Sequence, residues 1–144
     1  MKIFNKKAKF EFELTGEGVE AGISLKGAEA KSIRENRCDI SQSYIKIING
    51  EAFLVNANIP AEGIVNYNST QSRKLLLHKK EIISITTKMK QKKLQIVPLS
   101  IYNKGRLIKV YFELGKPKRK FEKKEAIKRM DVQRDVESEL KNSV

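Results

Sequence analysis

Apolar and polar residues alternate along the first part of the chain, as they do in β-strands with one buried face. The alternation runs over residues 9–14, stops at Gly16 and Gly18, and resumes over residues 19–25. Glycine is typical of tight turns, because it adopts backbone angles that other residues avoid. This pattern therefore predicts two paired strands joined by a glycine turn.

The middle of the chain reads as a helix, a hairpin and a loop. Residues 28–34 are good helix formers and predict a short helix. Residues 44–48 and 51–55 flank Asn49-Gly50, a dipeptide typical of two-residue hairpin turns. Residues 57–72 are polar without a clear period, which indicates a loop.

The period of the apolar residues changes from Arg73 to about Lys92. Leu75, Ile82 and Met89 lie seven positions apart, a spacing typical of one face of a helix. The pattern predicts a helix here, or two short helices that are broken near His78.

Two further strands are predicted at residues 94–102 and 107–114, around a turn that contains Gly105. Pro98 has no N–H to donate, so its strand is bulged or lies at a sheet edge. We predict a mainly β chain: six mostly antiparallel strands in a small, closed or nearly closed barrel, with about three short helices. No core pattern follows Gly115, so we divide the chain into a barrel domain at 1–115 and a basic tail at 116–144, disordered until it binds a partner.

Positive charge is concentrated in one stretch of the chain. The net charge is +13; residues 1–70 are neutral, residues 71–130 carry +15 and residues 131–144 carry −2. Such a surface attracts phosphate polymers or anionic membranes. A smaller group, the N-terminal basic cluster, precedes the first predicted strand and consists of Lys2, Lys6, Lys7 and Lys9.

Several classes of function find little support. No apolar run approaches the roughly 18 residues of a membrane span, and no signal peptide is visible, so we expect a cytoplasmic protein without membrane contact. Cys38 has no second thiol for a disulfide or metal cluster, and His78 has no neighbouring base or ligand. Glu11 and Glu13 share a strand face with Lys9, which favours a solvated surface over a catalytic pair. We expect no cofactor, no metal, no catalytic residue and no enzymatic activity.

Four segments carry a family resemblance, in collinear order between Asn5 and about Asp131. They are VEAGISLKGAEAKSIR at 19–34, the hairpin region at 43–59, RKLLLHKKEI at 73–82 and KPKRKFEKK at 116–124. Together they resemble small protein B, the family of transfer-messenger RNA (SsrA RNA) binding proteins of bacterial ribosome rescue.

The resemblance implies an OB-like six-stranded barrel with three helices and a division of labour between barrel and tail. The barrel would bind the tRNA-like domain of transfer-messenger RNA and deliver this RNA to stalled ribosomes for trans-translation. The tail would enter the decoding centre and the empty mRNA channel, and fold there as a helix. The implied partners are this RNA and the ribosome, with the protein a monomer on the RNA. The alternative is a general OB-fold RNA-binding or ribosomal protein.

Candidate contact residues follow from this resemblance and from the charge pattern. The candidates for RNA contact on the barrel are Asn5, Lys6, Lys7, Lys9, Glu20, Lys31, Arg34, Arg73, Lys74, Leu77, Lys79, Lys104, Arg106 and Lys109. The candidates for ribosome contact in the tail are Lys116, Lys118, Arg119, Lys120, Phe121, Glu122, Lys123, Lys124, Lys128 and Arg129.

Some of these assignments keep a simpler alternative. The lysines of the N-terminal basic cluster contact RNA or are merely solvated. Glu20 accepts hydrogen bonds from base or ribose groups, or is an exposed strand carboxylate. A helix cannot bury residues 75–77 together on one narrow face, so one of these leucines projects toward RNA while the others pack in the core.

Overall fold

The computed structural model describes residues 2–119. Its elements are, in chain order, β1 (Lys2–Phe4), α1 (Ala8–Glu11), β2 (Phe12–Ile23), α2 (Gly27–Arg34), β3 (Tyr44–Ile48), β4 (Glu51–Val55), β5 (Arg73–Leu76), α3 (Lys79–Lys92), β6 (Gln95–Lys104) and β7 (Leu107–Pro117). All seven strands join one antiparallel sheet in the order β1-β6-β7-β2-β5-β4-β3. The predicted mainly β class with three helices is confirmed. Seven strands replace the six expected, because the first two predicted strands form the single strand β2 while β1 and β5 are additional.

The sheet curls on itself around one apolar core. Its edge strand β3 also approaches β6, near the opposite edge, which nearly closes the barrel. Inward-facing side chains such as Leu54, Ile101 and Phe112 fill the interior and are almost wholly buried. Ile33 of α2 and Ile85 of α3 join the same core, so both helices pack on the barrel.

Strand β2 is one long bent strand, and the predicted glycine turn is wrong. Both halves of β2 pair with β7: Leu14 lies opposite Gly115 and Gly18 opposite Glu113. β2 thus uses four positions where β7 uses two, and Gly16 within this irregularity has a φ of +82°. Glycine here permits a bulge that bends the strand instead of reversing the chain. The single turn of α1 occupies part of the segment predicted as the first strand.

The hairpin of β3 and β4 has the predicted bounds. Asn49 and Gly50 both have positive φ angles, of 51° and 76°, as the predicted type of tight turn requires. Pro98 also behaves as expected, because the register between β6 and β7 shifts between Pro98 and Ser100.

The prediction of helix at residues 73–76 is wrong, since these residues form β5. Arg73 and Leu75 point inward while Lys74 and Leu76 point outward. The strand gains its ladder bonds from β4 and β2, partners that are distant in sequence, so its four residues gave no recognisable local period. Helix α3 begins only after His78, whose backbone N–H donates to Glu81 Oε1 at 3.2 Å.

The last strand continues beyond Gly115, where the core pattern ends. Lys116 and Pro117 pair with β2, and the backbone N–H of Lys118 donates to the Glu11 carbonyl at 2.9 Å. The ordered barrel therefore includes the first residues assigned to the tail. Among residues 2–119, none of the helices has the length and apolar character needed to cross a bilayer.

Candidate nucleic-acid interface

A continuous row of outward-facing residues crosses five neighbouring strands. Lys2 pairs with Tyr102, Tyr102 with Lys109, Lys109 with Gly22, and Gly22 with Leu76. Directly paired residues lie on the same face of a sheet, and the partners on either side of them in sequence point into the core. These five residues, which we call the outer row, therefore form one strip on the outside of the barrel.

Glu20 places an ionised carboxylate beside the outer row. The Tyr102 hydroxyl donates to Glu20 Oε2, and Lys104 Nζ lies 3.1 Å from Oε1. These two hydrogen bonds hold the pKa of Glu20 below its ordinary value. Burial and the adjacent carboxylate raise the pKa of Tyr102 to about 12, so its hydroxyl remains a donor. A carboxylate keeps further acceptor sites after two such bonds, and these can receive base amino or ribose hydroxyl groups.

Aromatic and cationic groups combine at the β1 end of the row. Lys2 Nζ lies 5.0 Å from the centre of the Tyr102 ring and 5.7 Å from that of Phe4. Phe4 is 61% exposed, so its ring is accessible from solvent beside this lysine. Exposed rings beside ammonium groups suit RNA, since bases stack on rings and lysines contact phosphates.

At the other end of the row, Leu76 is the apolar residue that faces outward. It is 59% exposed, and its side chain lies over Gly22, where a Cβ atom would come within 3.3 Å of Leu76 Cδ1. Leu77, the candidate from the sequence, is half-buried and packs against the core. Reading residues 73–76 as a strand would have identified Leu76 by simple alternation.

Arg73, a candidate for RNA contact, is buried inside the protein and is not available to RNA. Its side chain is 2% exposed and its Nε lies 2.8 Å from Oε2 of Glu29, which is equally buried. The other guanidinium nitrogens donate to Ala57 O at 2.6 Å, Ser69 O at 2.8 Å and the Tyr67 hydroxyl at 2.9 Å. With its donors engaged inside the protein, Arg73 joins α2, β5 and the loop between β4 and β5.

Asn5 also has an internal role, which the sequence did not indicate. Its Nδ2 donates to Pro98 O at 2.8 Å, and its Oδ1 accepts from the Lys7 backbone N–H at 3.2 Å. These bonds fix the start of α1 on the bulge of β6. Lys6, Lys7 and Lys9 are consequently held in a defined position next to the strands.

The root of the tail lies beside the N-terminal basic cluster. Lys118 Nζ donates to the Lys9 carbonyl at 2.8 Å. Lys116 is exposed at the end of β7, opposite Glu13 of β2. The structure thus brings together two groups of candidates, from the start and the end of the barrel. Arg119 is exposed; the remaining tail candidates, Lys120, Phe121, Glu122, Lys123, Lys124, Lys128 and Arg129, lie outside the described residues.

The other candidates lie at separate places around the outer row. Arg34 of α2 donates to the backbone carbonyl of Arg106 at 3.1 Å, and both arginines are exposed. Lys31 forms a loose ion pair with Glu35, at 3.9 Å. Lys74 shares the outer face of β5 with Leu76 and lies 3.5 Å from Glu51. Lys79 is exposed in the first turn of α3.

Groups suited to covalent or metal chemistry are scarce in the described part of the chain. Within residues 2–119, no group of three or more His, Cys, Asp or Glu side chains is placed to hold a metal ion. Burial raises the pKa of the Cys38 thiol to about 12, so it is protonated and unreactive at neutral pH.

The chain resembles known proteins both in its sequence and in its fold. The family model described as "SmpB protein" matches residues 2–142. An SsrA-binding protein of Mesoplasma florum is 46% identical over 90% of this chain and 89% of the relative, and one of Sulfurihydrogenibium sp. is 44% identical over 97% and 93%. A chain in the solved structure "tmRNA-SmpB: a journey to the center of the bacterial ribosome" superposes with a TM-score of 0.68 at 37% identity, covering 88% of this chain and 94% of that one.

Proposed function

Since this chain belongs to the SmpB protein family, we propose that it binds transfer-messenger RNA, the SsrA RNA, and acts with it on stalled ribosomes in trans-translation. The SsrA-binding relatives and the tmRNA–SmpB structure on the bacterial ribosome support both partners. Family membership also favours this function over a general OB-fold RNA-binding or ribosomal protein.

The outer row is the observation that carries the proposal. It joins two lysines, an aromatic ring, a glycine and an exposed leucine across five strands, with the Glu20 carboxylate beside it. Neighbouring strands are about 4.8 Å apart, so the row is about 19 Å across. Structured RNA is recognised mainly through its shape, phosphates and ribose hydroxyls. A broad strip with cations at intervals and one acceptor for ribose or base donors fits that form of recognition.

We assign the tRNA-like domain of the RNA to the barrel and the decoding centre and empty mRNA channel to the tail. The support is spatial: β7 carries Lys109 of the outer row and continues to Pro117 at the root of the tail. We further infer that the protein works in the cytoplasm, where ribosomes translate, and acts by binding alone. Turnover of RNA by the purified protein, lost on substituting a carboxylate, would overturn that last inference.

The test is a binding titration with the isolated tRNA-like domain at several salt concentrations. Lys109→Ala should weaken binding and reduce the slope of log K against log salt by about 0.9, the value for one lost phosphate contact. Lys92→Ala, which removes an exposed lysine from the last turn of α3, is the matched control and should change neither quantity. An unchanged slope for Lys109→Ala would exclude the outer row as the RNA surface.

A competition experiment tests the class of RNA that is bound. An unstructured oligonucleotide of equal length should not displace the tRNA-like domain at equal concentration. Displacement would mean that the barrel is a general single-strand binder, and the proposed function would fall.

A further inference from the structure

A cavity opens between α1 and the strands β1, β2, β6 and β7, next to the outer row. Its volume is about 460 Å³, and its floor and walls include the apolar side chains of Phe4, Leu14 and Leu99 and the ring of Tyr111. Sites for small ligands commonly have volumes of roughly 300–1,000 Å³ and apolar walls with a few polar groups. The cavity therefore has the size and lining of a binding site.

Charge is distributed unevenly around this cavity. Three lysines of the N-terminal basic cluster, Lys2, Lys6 and Lys9, line it together with the carboxylate of Glu113. Glu113 is held in place because its Oε2 accepts from the Tyr111 hydroxyl at 3.1 Å and its Oε1 from the Gly16 backbone N–H at 3.0 Å. A ligand that satisfies this arrangement combines an anionic part for the lysines with a flat apolar part that carries N–H donors.

A nucleotide has these properties, and a free phosphate ion does not. Its phosphate suits the lysines, its base can lie against Phe4 and the leucine walls, and a base amino or imino group can donate to Glu113. The carboxylate disfavours a bare anion inside the cavity. Electrostatics thus orient the ligand, with the base inside and the phosphate among the lysines.

The cavity is continuous with the proposed RNA surface. Tyr111 pairs with Glu20 of β2 on one side and with Ser100 of β6 on the other. Ser100 in turn pairs with Phe4 of β1. These residues form the row next to the outer row, so an RNA strand that crosses Lys109 and Tyr102 passes the mouth of the cavity.

We propose that this cavity is a subsite for one unstacked nucleotide of the bound RNA, with the base against Phe4 and the phosphate among Lys2, Lys6 and Lys9. The inference rests on the proposed function, since it names one contact of the same RNA partner. It adds a base-sized pocket to the strip of the outer row.

The test is a methyl NMR titration of the full chain with guanosine monophosphate, a probe that has both an anionic group and a base with N–H donors. The methyl signals of Ala8, Leu14 and Leu99 should shift, with a dissociation constant on the order of millimolar for so small a ligand. Inorganic phosphate at the same concentrations should leave these methyl signals in place. Unmoved methyls with the nucleotide, or equal shifts with phosphate, would overturn the proposal.

Phe4→Ala tests the wall directly. Loss of a stacking ring should weaken nucleotide binding about tenfold. Ile83→Ala is the matched control, because Ile83 is 56% exposed on α3, against 61% for Phe4, and lies outside the cavity. Both substitutions remove exposed side chains, and dispersed amide spectra will verify the fold. Equal affinity of the two variants for the nucleotide would refute the subsite.

The same variants separate this inference from the proposed function. If Lys109→Ala weakens binding of the tRNA-like domain while Phe4→Ala binds both that RNA and the nucleotide normally, the subsite falls and the proposed function stands. If the unmodified protein fails to bind the tRNA-like domain, the proposed function falls.

Discussion

Replacing Arg73 with methionine should destabilise the barrel more than any substitution on its outer face. The change leaves the Glu29 carboxylate, 2% exposed, without its charged partner at 2.8 Å. It also removes the donors to Ala57 O, Ser69 O and the Tyr67 hydroxyl. Breaking a buried pair on one side costs about 3–5 kcal/mol. Small domains are stable by roughly 5–15 kcal/mol, so the variant should lose at least about a fifth of its stability.

A second substitution separates the charge from the other lost contacts. In the double variant Arg73→Met/Glu29→Gln, neither of the two buried charges remains. The glutamine amide oxygen can still accept the hydrogen bond from the Lys26 backbone N–H, which Glu29 Oε1 accepts at 3.0 Å. The double variant should therefore be more stable than Arg73→Met alone, by about 2 kcal/mol. Urea unfolding followed by circular dichroism at pH 7 measures all of these differences. Lys74→Met is the control, because its exposed pair with Glu51 should contribute under about 1 kcal/mol.

The pH dependence of the unfolding free energy tests independently whether the charge of Glu29 causes this destabilisation. Burial works to raise the pKa of Glu29, but the hydrogen bonds from the Lys26 backbone and Arg73 outweigh it and hold the pKa below its ordinary value. The contribution of this carboxylate to stability is thus present above its unfolded pKa and is lost as pH falls through the folded pKa. Without Arg73, burial should raise the pKa of Glu29 instead. The difference in unfolding free energy between the unmodified protein and Arg73→Met should then shrink as pH falls from 7 to 4.

Two results would refute this reasoning. The first is a double variant no more stable than Arg73→Met, which would mean that lost packing, not an unpaired charge, dominates. The second is a difference between the proteins that stays constant or grows toward pH 4.

Four further results are expected. Gly18→Ala would place a methyl group on the hydroxyl end of Tyr111, so the ring must swing away and release Glu113. Urea unfolding should show a loss of about 1 kcal/mol, the contribution of one hydrogen bond, and no loss would contradict this packing. Replacing Lys6, Lys7 and Lys9 with glutamate reverses their charge and should weaken RNA binding and flatten its salt slope. An unchanged slope would mean that these lysines do not contact phosphate. Removing residues 120–144 should keep affinity for the tRNA-like domain within about twofold and abolish tagging in reconstituted translation, unless barrel and tail share one task. Iodoacetamide should modify Cys38 at pH 8 at least about 100 times more slowly than in the urea-unfolded chain, because its pKa is about 12; equal rates would show an open thiol.

Elements whose cause is local could be predicted from the sequence. The β3–β4 hairpin depends on Asn49-Gly50, and the bulge at Pro98 depends on the missing N–H of proline. Both signals act within a few residues, so they keep their meaning in the folded chain. The glycines of β2 gave a wrong prediction, because glycine permits either a turn or a bulge. Only pairing with the distant strand β7 selects the bulge.

The candidate site also has some features that the sequence shows and others that depend on distant strands. Its cationic character was visible as a concentration of lysine and arginine, yet the outer row depends on the register of five strands. The choice of Leu77 over Leu76 followed from one error, since helix at 73–76 hides which leucine faces outward. The role of Arg73 had no signal in the sequence at all, because its partner Glu29 is 44 positions away and charged residues are expected at the surface.

Because β7 is continuous, it fixes the distance between the tRNA-like RNA on the barrel and the ribosomal site that the tail would enter. Eight positions separate Lys109, in the outer row, from Pro117 at the root of the tail. At about 3.3 Å per residue the two are at most about 26 Å apart, and the ladder to β2 keeps that spacing nearly constant. The barrel is then a spacer, and its length sets how far the tRNA-like RNA lies from the point where the tail departs. Inserting two residues in both β2 and β7 should lengthen that spacing by about 7 Å without changing a single contact residue.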